Sequence, residues 1–172
     1  MHGISDVWGM AADKWDEVMA QVSDADWDKS TPCDGWTVRE LVDHAMYWQG
    51  NGGSAFGAEV AEGDWASLRT SLQTKLADPA SMEGVAAEFG GAPKPAVAGL
   101  ITADLLVHSW DLATAIGADT TLPEVAAEST LMGLQRLPEE MLRNERMFGP
   151  AIEVGDDASA QDRLIGFVGR QP

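Results

Sequence analysis

Apolar residues at Ile4, Val7, Trp8, Ala11, Trp15, Val18, Met19 and Val22 recur every three to four positions, which predicts an amphipathic helix at the start of the chain. Polar residues and a proline break the pattern between Ser23 and Pro32. Thr37 and Glu40 then form a T-x-x-E capping box, each able to satisfy a backbone N–H that the first turn leaves unpaired, and open a helix from about Val38 to Gln49. Gly50-Asn51-Gly52-Gly53 is expected to end it. Asp64 caps a third helix carrying Trp65, Leu68, Leu72 and Leu76, which Asp78-Pro79 stops.

Met82, Val85, Ala86 and Phe89 fit one short helix over Ser81 to Phe89, and Gly90 to Pro95 reads as a tight corner. Ala96 to Ile116 is apolar nearly all round, the mark of a buried helix, and Gly117 is placed to cap its C-terminus. Thr121-Leu122-Pro123-Glu124 repeats the capping-box pattern and opens a helix towards Leu137. Pro138 restarts the chain into a short helix through Met147, an extended acidic segment follows Gly149-Pro150, and Ala158 to Val168 forms a last helix. Period-two alternation is almost absent. The pattern predicts an all-α protein, a four-helix bundle with additional short helices, as one domain over residues 1–172.

Composition narrows the function. With 45% apolar and 23% charged residues the chain reads as globular, and 28 acidic against 11 basic side chains give a net charge of −17. That charge repels phosphates, so no nucleic-acid partner and no anionic membrane surface are expected. No stretch is read as a membrane span of roughly 20 apolar residues. A single cysteine and the lack of an export signal point to a reducing, cytoplasmic setting.

Three histidines are present. His2 sits at the terminus, His44 in the second helix, and His108 in the apolar helix, four residues after Asp104 and three before Asp111. Residues four apart on a helix share a face, so Asp104 and His108 are neighbours. A carboxylate inside an apolar helix needs a cation, strong donors or a metal. Asp104 could simply accept a hydrogen bond from His108 or from an arginine such as Arg39. Alternatively, Asp104 and His108 meet His44 to form a two-histidine, one-carboxylate metal site with an open position. Asp111 could orient a ligand or pair with Arg39, and Trp36, Trp48 and Trp110 could wall a pocket. Cys33, just before a helix start, reads as packing more than as a nucleophile.

Thr31-Pro32-Cys33-Asp34-Gly35-Trp36-Thr37-Val38-Arg39-Glu40-Leu41-Val42-Asp43-His44 resembles the first signature of the mycothiol-dependent maleylpyruvate isomerase-like family, part of the DinB-like superfamily of metal-binding bundles. The stretch from Asp104 to Gly117 resembles its second signature, and Phe148 to Arg170 resembles the tail of its stand-alone, mainly actinobacterial branch. The resemblance implies a divalent metal, zinc or nickel, on His44, Asp104 and His108. Aspartate at position 104 departs from the isomerase, which uses the longer glutamate there. The isomerase also has a further C-terminal domain for which this chain has no length.

Two function classes follow. One is a metal-dependent transferase or isomerase acting on a small molecule, with mycothiol or another low-molecular-weight thiol as cosubstrate. The other is a non-catalytic metal or ligand-binding module. A non-haem iron oxygenase uses the same ligand types but fits the helical setting and the resemblance less well. A homodimer is compatible with either class.

Overall fold

Trp8, Ala11, Trp15 and Val18 put one continuous apolar stripe on the first helix, α1 (Ile4–Met19), and all four are fully or almost fully buried. The computed structural model describes residues 2–58, 64–143 and 147–172. Three longer helices complete the bundle: α2 (Val38–Ala55), α3 (Trp65–Ala77) and α4 (Lys94–Ile116). α1 and α2 each pack against both α3 and α4, so the four run in the spatial order α1, α4, α2, α3. The outer elements are α5 (Glu124–Leu134), packed on α1, α4 and α7, the single-turn α6 (Glu139–Leu142), and α7 (Ala160–Phe167). The expected all-α, DinB-like architecture is what the chain adopts.

Several local expectations change. The second helix runs through its glycines to Ala55, because Gly52 and Gly53 are buried where α2 meets its neighbours. A Cβ on Gly52 would collide with Ile101 of α4, and one on Gly53 would sit 3.3 Å from Ala58 and Leu68. These glycines serve close helix packing, which offsets their poor helix propensity. Between α3 and α4 there is no helix over Ser81 to Phe89. Instead Pro79–Met82 is a single 3-10 turn, and a second, Ala87–Phe89, lies between the strands of a minimal antiparallel pair, β1 (Val85–Ala86) and β2 (Ala92–Pro93). The reason is backbone: Gly84, Gly90 and Gly91 have φ of 84°, 66° and 77°, left-handed values that no helix continues through.

The capping box at Thr121 does not form. α5 starts after Pro123 with no side-chain cap, while the N–H of Thr121 donates to Asp119 and that of Leu122 to Gln161. The helix after Pro138 stops at Leu142, where Arg143 pairs with Phe148; residues 144–146 of the expected segment lie outside the described residues. Other ends shift by a few residues, with α1 stopping at Met19, α4 starting at Lys94, α5 stopping at Leu134 and α7 spanning Ala160–Phe167, while two caps form as expected. Gly117 caps α4 with φ 74°, and Thr37 and Glu40 make their reciprocal box, with Thr37 N–H donating to Glu40 at 2.8 Å.

By length and composition α4 is long and apolar enough to cross a membrane, contrary to the sequence expectation, but 78% of its apolar window is buried within the protein. It is the bundle's central helix. A buried polar link holds α1, α2 and α4 in register: the Trp8 indole donates to Gln49 Oε1 at 3.0 Å, and Gln49 Nε2 donates to the Ile101 carbonyl at 2.8 Å. Ile101 lies less than one turn before Asp104, so this link also sets how α2 faces the acid.

Candidate metal centre

The T-P-C-D-G-W segment is a tight loop built by its own residues. Thr31 N–H donates to the Trp36 carbonyl at 3.0 Å, Trp36 N–H returns to Cys33 at 3.0 Å, and Gly35 supplies the left-handed corner at φ 76°. Val38 N–H then anchors α2 to Lys29 at 2.9 Å. The loop holds the Trp36 ring 4.6 Å from the His44 ring and 6.1 Å from that of His108, and it places Cys33 beside α4.

His44 from α2 meets Asp104 and His108 from α4. His44 Nε2 lies 3.2 Å, and His108 Nε2 3.4 Å, from the same Asp104 oxygen, Oδ1. The three ligand atoms all lie within 4.8 Å of one another. Asp104 Oδ2 is buried and has no hydrogen-bond partner among the described residues. The three residues that the family resemblance implied as ligands are thus brought together in space.

On its other side, His108 Nδ1 lies 2.9 Å from Asp111 Oδ2. Asp111 is 0% exposed, and Arg170 from the chain's tail grips both of its oxygens, Nε to Oδ1 at 3.1 Å and Nη2 to Oδ2 at 2.9 Å. The Cys33 thiol joins this side, 3.3 Å from Asp111 Oδ2, 3.9 Å from His108 Nδ1 and 3.5 Å from Arg170 Nη2. Cys33, His108 and Asp111 thus form a second trio of possible ligands that shares one imidazole with the first.

The two trios differ in charge. Arg170 already neutralises the Cys33 side, and a divalent ion placed there would face a guanidinium at contact distance. The His44–Asp104–His108 side has no arginine or lysine in contact among the described residues. Burial alone would raise the Asp104 carboxyl and lower the His108 imidazole. Their mutual attraction and the hydrogen bonds around them outweigh it, holding Asp104 below the usual carboxylate range and His108 well above the usual imidazole range. Asp111 is likewise held low: burial opposes its charge, but donors on His108 and Arg170 prevail.

Both groups open onto a cavity of about 500 Å³, with Trp36, Trp48, Phe89, Leu100, Ile101 and Phe148 among its apolar walls. Trp48 stands 6.2 Å from the His44 ring and 6.0 Å from that of Phe89. Trp110 is buried and is not among the lining residues. Arg39 is exposed and lies over the Trp27 ring, 5.2 Å from its centroid, so it pairs with neither Asp104 nor Asp111. The cation on Asp111 is Arg170. No periodicity marks a residue in a short tail; a buried acid lacking a nearby arginine was the only hint that a distant one must arrive.

Fold and geometry together define a class: a helical bundle whose second and fourth helices bring a His–His–carboxylate cluster into an aromatic-walled cavity. Residues 8–63 match the family described as the mycothiol maleylpyruvate isomerase N-terminal domain. The family resemblance read from the first motif is thus borne out; the second motif lies beyond the matched residues. Uncharacterized proteins of Mycobacterium tuberculosis, from strains H37Rv and CDC 1551, are each 28% identical over 160 residues, covering 81% of this chain and 82% of the relative. No solved structure matches the chain.

Proposed function

We propose that this protein holds a divalent, zinc-type ion on His44, Asp104 and His108, and that it is a metal-dependent transferase or isomerase using a low-molecular-weight thiol on a small molecule. The observation that carries this reading is the convergence of two imidazole Nε2 atoms on one carboxylate oxygen whose twin is buried without a partner among the described residues. Zinc bonds of about 2.0–2.2 Å need ligand atoms about 3.3 Å apart, close to the spacing of both histidines from Asp104. His44, Asp104 and His108 all line the cavity, so they would hold the ion beside it. The thiol part of the proposal leans on the family match, because mycothiol stands in the family's name.

Held by His44, Asp104 and His108, a divalent ion would supply positive charge that favours the thiolate form of a thiol and polarises a carbonyl. The chain's own residues do the rest. Asp111 is placed to accept a hydrogen bond from Nδ1–H of His108, so that on loss of the Nε2 proton the lone pair would face the cluster. Trp36, Trp48 and Phe89 line the cavity and offer flat faces to an apolar reactant. Aspartate 104 is short, and the close approach of α2 to α4 at Gly52 compensates for its reach.

Elemental analysis of protein purified without a metal-affinity tag tests the site. Near-stoichiometric zinc or nickel is expected in the wild type, with loss in His44→Ala and His108→Ala. Equal, trace metal in all three would overturn the proposal. Consumption of mycothiol in the presence of electrophiles, absent from the two alanine variants, tests the catalytic part. Metal without any thiol turnover would instead establish the binding-module reading.

A further inference from the structure

His108 is the one imidazole shared by both ligand trios, so something must decide which of its nitrogens meets a metal. Through Nε2 it faces Asp104 and His44; through Nδ1 it faces Asp111 and Cys33. A ring nitrogen cannot donate a proton to a carboxylate and ligate a metal at once. Whatever holds Asp111 as an acceptor for Nδ1–H therefore assigns Nε2 to the metal.

We infer that Arg170 is the positioning residue that makes this choice: its guanidinium holds the Asp111–Cys33 side in place of a metal, and so reserves His108 Nε2 for the cluster with His44 and Asp104. The inference rests on the metal site proposed above. Three features of Arg170 carry it. Its planar fork meets both oxygens of a fully buried carboxylate, the geometry that lysine cannot reproduce. Its Nη2 also reaches the Cys33 sulfur at 3.5 Å, so it contacts two members of the second trio. Its own placement is fixed by the tail: Arg170 N–H donates to Ile165 at 2.9 Å and Nη1 to the Val168 carbonyl at 3.1 Å.

The tail itself is seated tightly. Gly169 turns at φ 83°, and a Cβ there would lie 2.9 Å from the Pro150 carbonyl. Ile152 N–H donates to Gly166 at 2.8 Å, binding the extended acidic segment to α7. Arg170 therefore arrives as part of a packed element and not as a loose end. Removing its guanidinium would leave Asp111 beside a thiol and an imidazole, with the cation gone. That is a hard and a soft donor flanking a nitrogen, a set that suits a transition metal.

Cobalt(II), taken up by the metal-free protein, reports both affinity and ligand type. Wild type is expected to bind cobalt with visible bands of nitrogen and oxygen ligation and no sulfur-to-cobalt charge-transfer band. Arg170→Lys should bind more weakly, and Arg170→Met about 10- to 100-fold more weakly, the usual effect of losing such an outer partner. Arg170→Met should also gain a sulfur-to-cobalt band that disappears in Arg170→Met/Cys33→Ser. A purely structural role for Arg170 would not create that band. Wild-type affinity in both Arg170 variants, or a sulfur band already present in wild type, overturns this inference while leaving the metal site standing. Folded wild type that takes up no cobalt overturns both. Should Arg170→Met fail to fold, the affinity of Arg170→Lys, which keeps a charge beside Asp111, decides alone.

Discussion

Replacing Gly52 by alanine sets two well-understood effects against each other. In a helix interior, alanine is favoured over glycine by about 0.5–1 kcal/mol, because glycine loses more backbone freedom on folding. Position 52 is inside α2 yet faces Ile101 of α4, where an added Cβ would run into Cγ2 and lie 3.2 Å from Cδ1. Carbon atoms prefer separations of about 3.5–4.0 Å, so the overlap is roughly 1 Å or more. Ile101 is β-branched and buried, and cannot swing its Cγ2 away cheaply. Overpacking of this kind costs about 1–3 kcal/mol. The overlap wins: Gly52→Ala should lose about 1 kcal/mol net. Gly99, in α4, is the control, since a Cβ there meets no described atom within 4 Å. Gly99→Ala should gain about 0.5–1 kcal/mol. Urea titrations of metal-free protein read the pair directly. With an m-value of about 2 kcal/mol/M, the midpoint of Gly52→Ala should fall by about 0.5 M and that of Gly99→Ala should rise. A Gly52→Ala protein as stable as Gly99→Ala would refute the claim that glycine is there for close approach, and with it the account of how His44 reaches a short aspartate.

Gln49→Leu should destabilise by about 1–3 kcal/mol in the same titration, because it strands the buried Trp8 indole N–H; an unchanged midpoint would mean that the amide bridge is dispensable. Asp26 is held well below its usual range, first by Lys29 and then by the Ser23 hydroxyl and N–H, so its folded value lies under its unfolded value of about 3.9. Its stabilising effect is thus complete above about pH 4 and lost as pH falls through the depressed folded value. The stability gap between wild type and Asp26→Asn should narrow steadily below that pH, and a gap constant from pH 7 to about pH 2 would contradict it.

Much of this protein is local and therefore legible. The stripe on α1, the Thr37–Glu40 box and the stop at Gly117 each depend on residues within one or two turns, and each forms as read. Asp104 and His108 are neighbours by helical spacing alone, and an aspartate in so apolar a helix already announces a need for partners. What a single segment does not contain is the identity of its neighbours. Gly50 to Gly53 look like a helix end until Ile101 of another helix is seen to pack against Gly52, and Ser81 to Phe89 look helical by period until Gly84 is seen to be left-handed. Arg39 stood close to the site in sequence yet lies over Trp27, while Arg170, 59 residues from Asp111, completes it. Sequence alone determined the four long helices and the chemical types of the cluster, because short-range hydrogen bonding and burial set those. Only the tertiary structure decided which imidazole nitrogen faces which acid and which arginine answers it, because such pairings arise where separate helices and a folded-back tail pack together.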